Sequence, residues 1–375
     1  MSQSRRIFVF CSCLVAAIST FMTTPLVQGQ APVQSDPTSL VPQYLLPLLH
    51  APEVHKELKL TQMQRNELKQ LLSEIDGDWF RARNLPKEKQ FEVVRLLEDQ
   101  VKQWLEKNAS PEQRERITQL EYQAQSLRVL LRPEIAEAAN LKPSQISQMT
   151  ELAQSTDAAN LKLQKAMMRG QDTESLSAVA QQTAQKEQDT FKSIFDQEQL
   201  KKVSQLLGTP FDTKQLSRIY PLAPEFVAGQ PWLNSSPLTL QQLRGKVVLV
   251  HFYAFQCSNC HANFPIYKKW HRELGDKGVI VIGIQTPETS RERQLDAVTA
   301  AAKSEGLEFP VLVDLKSENW EAWGNRMWPT VYVVDKNGYL RQWWQGELQW
   351  KGAMGDKSIE KTVDQLLAEP MEYPE

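Results

Sequence analysis

Lys246-Val247-Val248-Leu249-Val250-His251-Phe252-Tyr253-Ala254-Phe255-Gln256-Cys257-Ser258-Asn259-Cys260-His261 decides the fold of the second half of the chain. Lys246 to Tyr253 is a continuous apolar, β-branched run, the pattern of a strand buried on both faces. The cysteine pair follows almost at once and opens a helical stretch, roughly His261 to Leu274. That order puts Cys257 at a helix N-terminus, where unpaired amides and a partial positive charge favour a thiolate. A thiol pKa of about 8.5 can fall there into the range of ~3.5–7.5. Cys257 is therefore expected to be the exposed nucleophile that attacks a disulfide. Cys260, one turn inside the helix, is expected to be the buried thiol that resolves the mixed disulfide.

Working outward, Val279 to Ile284 and Thr330 to Val334 repeat the strand signal, and Pro310 to Val313 is a shorter version. Helical stretches lie between them, at about Arg291 to Ser304 and Lys316 to Asn325. Asp335-Lys336-Asn337-Gly338 is a hairpin turn joining Val331–Val334 to Leu340–Trp344, and a last helix is expected over Lys357 to Leu367. Strand, helix and strand followed by a hairpin and a final helix is the thioredoxin order.

Residues from about Leu222 onward resemble a TlpA-like/redoxin thioredoxin domain. The resemblance rests on Gly245 to Val250 followed by the cysteine pair. Trp323-Gly324-Asn325, Trp328-Pro329, Val331 to Asp335 and Gln285-Thr286-Pro287-Glu288 are similar to the extracytoplasmic domain of DipZ-type proteins. The resemblance implies that Pro265 is the kinking proline of the active-site helix. It implies that Pro329 is a cis-proline opposite the cysteines, with the Trp328 backbone presented to a substrate chain; an ordinary strand-initiating proline is the alternative. Phe255, Ser258 and Asn259 would line the same substrate site. Three positions depart from the pattern: Gln256 where Trp is common, Asn263 where Glu is common, and His251 at the place of the buried acid. His251 could act as a base for the resolving thiol, or be a hydrogen-bonded strand histidine. Cys257-x-x-Cys260-His261 also matches the c-type haem attachment pattern, and with His261 or His251 the pair could hold copper(I). No cofactor or metal is expected. Six of the ten tryptophans, Trp320 to Trp350, fall within 31 residues, as core or as an apolar rim for an unfolded substrate.

Glycine usage divides the chain. Of 15 glycines, 11 lie beyond Pro221, and only Gly77 and Gly170 occur from Leu40 to Leu207. That first half carries apolar residues at helical spacing, as in Leu68, Leu71, Leu72 and Ile75, or Val93, Val94, Leu97, Val101, Trp104 and Leu105. It also repeats. Pro52-Glu53-Val54 and Leu60–Gln64 recur as Pro133-Glu134-Ile135 and Leu141–Gln145, 81 residues later. Ala109–Gln113 and Ile117-x-Gln119-Leu120 recur 86 residues later as Phe195–Gln199 and Val203-x-Gln205-Leu206. Thr61, Ser110 and Asp196 each precede a Gln at capping-box spacing, whereas Lys142 before Gln145 cannot accept the cap bond. These starts resemble the LTxxQ repeats of exported helical proteins such as Spy and CpxP, which bind unfolded chains or sense envelope stress; helix capping alone also accounts for them. His50 and His55 are near each other, but no cysteine or carboxylate cluster joins them into a metal set.

Arg5 and Arg6, the apolar Ile7 to Phe21, and small residues at Gly29 and Ala31 read as a secretory signal over 1–29, with an uncleaved anchor as the alternative. Cys11 and Cys13 would leave with it, so the exported chain keeps only Cys257 and Cys260. The net charge of -2 gives no sign of a nucleic-acid partner. The expectation is an α plus α/β protein: a duplicated helical domain over 30–215 and a thioredoxin-like domain with a mixed sheet over 216–375. It would exchange disulfides in envelope proteins, served by an upstream thiol-redox donor, with reduction as the leading direction. Oxidant and isomerase roles stay open, as does a client-binding helical protein with an accessory redox domain.

Overall fold

The computed structural model describes residues 36–168 and 173–371; the signal-like segment and Cys11 and Cys13 lie outside the described residues. The described residues form two compact units: 36–69 with the described part of 82–217 in one, and Gln70–Arg81 with 218–371 in the other. Among the described residues no helix is long and apolar enough to cross a membrane.

The first unit is helical: α1 (Leu45–His50), α2 (Pro52–Glu57), the start of α3 (Gln62–Ala82), whose stretch Gln70–Arg81 belongs to the second unit, α4 (Lys87–Asn108), α5 (Pro111–Gln125), α6 (Pro133–Ala138), α7 (Pro143–Met168), α8 (Glu174–Ile194) and α9 (Gln197–Leu207). The spaced apolar residues form the buried stripes, as with Val94, Leu97, Val101 and Leu105 on α4. A second core joins Val129, Leu130, Leu131, Ile135, Met149, Ala153 and Phe191.

The repeated glutamines do more than cap. Ser110 with Gln113, and Asp196 with Gln199, form complete capping boxes, and Thr61 with Gln64 makes the same two bonds. At Lys142 only the return bond forms, from its N–H to Gln145 Oε1 at 2.7 Å. Each Gln then reaches across to the other of its pair. Gln64 Nε2 donates to Asn108 O (2.7 Å) and Gln113 Oε1 (3.0 Å), and Gln113 Nε2 donates to Leu58 O (3.1 Å). Gln145 Nε2 donates to Ile194 O (2.9 Å) and Gln199 Oε1 (3.1 Å), and Gln199 Nε2 donates to Asn140 O (3.0 Å). The same lock thus joins two helix starts twice over. His50 Nδ1 and His55 Nε2 instead contact the Leu46 and Leu49 carbonyls at 2.7 and 2.6 Å.

The second unit is built on a six-stranded mixed sheet in the order β1-β4-β3-β2-β5-β6. The strands are β1 (Trp232–Leu233), β2 (Val247–Tyr253), β3 (Val279–Gln285), β4 (Val311–Val313), β5 (Thr330–Val334) and β6 (Leu340–Gln345). β2 pairs parallel with β3 and antiparallel with β5. The helices are α10 (Ser258–Leu274), α11 (Leu295–Ser304), α12 (Glu318–Ala322) and α13 (Gly355–Ala368). Strand alternation sorts the core into two faces. Val247, Leu249 and Tyr253 pack with Cys260, Phe264, Tyr267 and Trp270 of α10 and with Ile359 and Val363 of α13. Val248, Val250 and Phe252 pack on the other face with Trp323, Tyr332 and Phe80. Phe80 stands edge-on to Tyr332 at 5.8 Å, and Asp76 accepts the Leu222 N–H at 2.9 Å.

Three elements differ from the sequence expectation. The helix expected over Arg291–Ser304 breaks at Gln294, which is extended, leaving a 3-10 turn before α11. The one expected over Lys316–Asn325 shrinks to α12, because Ser317 takes a left-handed conformation and Asp314 caps the next turn, accepting the Asn319 and Trp320 N–H groups. The two-residue β1, too short to show a period, was not expected; it pairs antiparallel with β4.

Candidate functional site

β2 ends at Tyr253, and the chain turns through Ala254, Phe255 and Gln256 into α10, with Cys257 as the N-cap residue. Cys257 is half-buried, Cys260 is fully buried, and both are free thiols. The Cys260 thiol donates to the Cys257 sulfur, and the Cys260 and Asn259 amides also point at it. Together they hold the Cys257 thiol below its ordinary range, at about 7, against burial and the Glu288 charge. Cys260 shifts the other way, because its proton is held by Cys257 and its sulfur is out of water. One thiol is thus poised to ionise and the other to stay protonated, with the helix N-terminus and their mutual bond as the causes.

The residues expected around the pair fall into place unevenly. Ser258 and Asn259 are exposed on the first turn of α10, and Phe255 is partly buried against the core. Pro265 lies inside α10. The Trp328–Pro329 peptide is cis, and Pro329 O accepts the Gly346 N–H at 2.7 Å. Trp328 is half-buried and stacks on Trp320, with ring centroids 4.0 Å apart and planes at 25°. The tryptophans divide between core and surface: Trp323 is fully buried, whereas Trp350 is 55% exposed. Asn263 does the work of a tie. It is buried, accepts the Leu348 N–H at 2.9 Å and donates to Gly346 O at 3.2 Å, which binds α10 to the segment after β6.

His251 does not suit the role of base. Its ring is fully buried, stacked 4.0 Å from Tyr267, and neither nitrogen has a hydrogen-bond partner. Burial pushes its pKa down to about 3, so the imidazole stays neutral and is a poor proton acceptor. His261 is committed elsewhere. Its Nε2 lies 2.8 Å from Phe255 O and its Nδ1 lies 3.1 Å from Glu305 Oε1, so ligating a metal or haem would first require it to leave both.

Nothing in the residue pattern announces Glu292. Its carboxylate is fully buried and accepts three backbone N–H groups, from Gln256 (2.7 Å), Glu288 (2.9 Å) and Thr289 (2.8 Å). The Thr289 hydroxyl also donates to Gln256 Oε1 at 2.6 Å. Segment 286–292 is thereby clamped to the residue before Cys257. A glutamate flanked by Arg291 and Arg293 reads as solvated surface, and only the fold brings the three amides to it.

Residues 221–343 match the AhpC/TSA family. Protein DipZ of Mycobacterium tuberculosis is 36% identical over 149 residues, which are 39% of this chain and 20% of that protein. Thioredoxin-like protein YneN of Bacillus subtilis is 30% identical over 132 residues, 35% of this chain and 72% of that protein. Thiol-disulfide oxidoreductase YkuV of the same organism is 29% identical over 147 residues, 39% of this chain and 94% of that protein. The chain therefore spans about a fifth of the length of DipZ and most of the two smaller proteins.

Proposed function

Because the chain belongs, through its C-terminal domain, to the thioredoxin-like AhpC/TSA family, we propose that it is a thiol–disulfide oxidoreductase working through Cys257 and Cys260. One observation carries the reading. At the α10 N-terminus a half-exposed thiol is held at about 7 while its partner, one turn inside, is buried and held protonated. Cys257 as thiolate attacks a substrate disulfide and forms a mixed disulfide. Cys260 then displaces the substrate sulfur and closes the Cys257–Cys260 bond.

The proposed setting is extracytoplasmic. It rests on the signal-like segment before residue 30 and on a chain that would keep only these two cysteines after its removal. The proposed clients are disulfide-bearing envelope proteins, approached at the surface formed by Ser258, Asn259, Phe255 and Trp328, with the buried Pro329 behind Trp328. The proposed direction is reduction, with electrons returned by an upstream thiol donor. A redox titration of the pair tests it. A midpoint near about −270 mV, where thioredoxin lies, supports reduction; a midpoint near about −120 mV makes the protein an oxidant and sinks that direction.

A further inference from the structure

The sheet face under α10 holds polar atoms with no protein partner. Register pairs His251 with Gly283 and Tyr253 with Gln285 on the parallel strands β2 and β3, so all four share the face that packs on α10. His251, Tyr253 and Gln285 are 0–2% exposed, yet both His251 nitrogens, the Tyr253 hydroxyl and both Gln285 amide atoms lack a hydrogen bond. Five such atoms in one patch depart from the rule that buried polar groups are paired. Gly283 keeps the patch open: a Cβ there would stand 3.0 Å from Phe309, 3.1 Å from Tyr253 and 3.2 Å from His251 Nε2. The lid is the α10 stripe Cys260, Phe264 and Tyr267, with Tyr267 stacked on His251 and Phe264 edge-on to Tyr253 at 5.3 Å.

The thiol belongs to this patch. Cys260 packs in one core cluster with Tyr253, Phe264 and Tyr267, which puts its sulfur on the same face of the sheet. A resolving thiol must lose a proton before it attacks, and the neutral His251 does not take it. Tyr253 offers the remaining route, since a phenol can accept one proton while giving up another. Burial above all, with Cys260 and Glu305 nearby, raises the pKa of its hydroxyl, so it passes a proton on rather than ionising; Phe264, edge-on to Tyr253, also stands 5.0 Å from the His261 ring. Glu305, at the end of α11, is half-exposed and holds His261 Nδ1 at 3.1 Å.

We propose that Tyr253 is the proton relay of the resolving step, its hydroxyl and water held among His251, Tyr253 and Gln285 carrying the Cys260 proton toward Glu305 and the solvent. This rests on the reading of the cysteine pair given above. The step balances as follows. The Cys260 S–H bond breaks and its proton leaves through the relay. The thiolate attacks the Cys257 sulfur, the Cys257–Cys260 bond forms, and the Cys257–substrate bond breaks. The substrate sulfur leaves as a thiolate and takes a proton from solvent. The cysteine pair is oxidised by two electrons and the substrate disulfide is reduced.

The test is stopped-flow reduction of a model disulfide by the full chain, following mixed-disulfide formation and its resolution separately from pH 5 to 9. Tyr253→Phe keeps the ring against Phe264 and removes only the hydroxyl. The expected result is an unchanged formation step and a resolution step slowed at least about tenfold at pH 6, the deficit closing as hydroxide takes over at high pH. Glu305→Gln, a half-exposed and isosteric change, is expected to slow resolution in the same pH range by a smaller factor. Wild-type resolution by Tyr253→Phe across the whole range overturns the relay. So does equal slowing of both steps, which marks a structural role. A wild-type chain that forms no mixed disulfide at all overturns instead the reading of Cys257 and Cys260.

Discussion

The buried arginines and the capping glutamines of the helical unit are tied up, although Trp104 Nε1, Thr156 Oγ1 and Gln164 Nε2 there are not, and the polar groups under the active-site helix lie unpaired side by side. Arg128 meets Glu187 Oε1 at 2.9 Å and Asp157 Oδ1 at 2.8 Å, and donates to the Leu40 and Ala153 carbonyls. Arg132 pairs with Glu121. The glutamine locks leave neither amide group of Gln64, Gln113, Gln145 or Gln199 without a bond. Beneath α10, His251, Tyr253 and Gln285 have no such partners. The difference separates two uses of polarity. A fully paired network fixes one arrangement of helices, whereas unpaired groups beside a reacting thiol remain available to water and protons.

The comparison can be broken at several points. The largest effect is expected at Arg128. Replacing it with Ala leaves Glu187 without its cation and Asp157 with only the exposed Lys87, at a cost of about 3–5 kcal/mol, read from urea unfolding of the helical signal. A loss under about 1 kcal/mol would mean that the network is ornamental.

Glu98 is the exception within the helical unit. Burial, with Glu121 nearby, raises its pKa from 4.5 to about 7, although it accepts the Leu45 N–H at 3.2 Å. The folded state holds this proton more tightly than the unfolded state does. Its contribution to stability is therefore present below the unfolded value of 4.5 and lost as pH rises through about 7. Glu98→Gln is expected to stabilise by about 3 kcal/mol at pH 8 and by almost nothing at pH 4. Equal effects at both pH values would refute the shift.

Gln113→Ala removes a cap return, a carbonyl contact and the link to Gln64, and about 2 kcal/mol is expected to go with them. Gln199→Ala should match it, since its bonds are the same in kind; a large disparity would show that the two locks differ in weight. The smallest effect is expected for Tyr253→Phe. Removing a dry, unbonded hydroxyl should stabilise by about 1–3 kcal/mol, whereas removing a hydrated one should change little, within about 1 kcal/mol. The wet outcome is the expected one, and unfolding midpoints decide it.

Much of the redox unit was legible in the sequence because its signals are local. The run Val247–Tyr253, the cysteine pair after it and the hairpin turn before Leu340 each declare themselves within a few residues. The glutamine spacing likewise announced the helix starts, but not that Gln64 would meet Gln113 or Gln145 meet Gln199, since those bonds join residues 49 and 54 positions apart. Glu292 and Tyr253 were illegible for the same reason. One gains its meaning from three amides on a folded loop, the other from the register of β2 against β3. His251 was visible as a departure, yet its neutrality follows from complete burial among Tyr253, Tyr267 and Phe309, which no spacing reveals.

The most direct measurement is intact-mass analysis of the Cys260→Ser chain after incubation at pH 7 with a disulfide-bonded model peptide. The expected result is one adduct, mapped to Cys257, released by dithiothreitol and absent when Cys257 is also replaced. A chain that stays unmodified, with Cys257 shown to be reduced and accessible, would contradict the assignment of Cys257 as the attacking thiol.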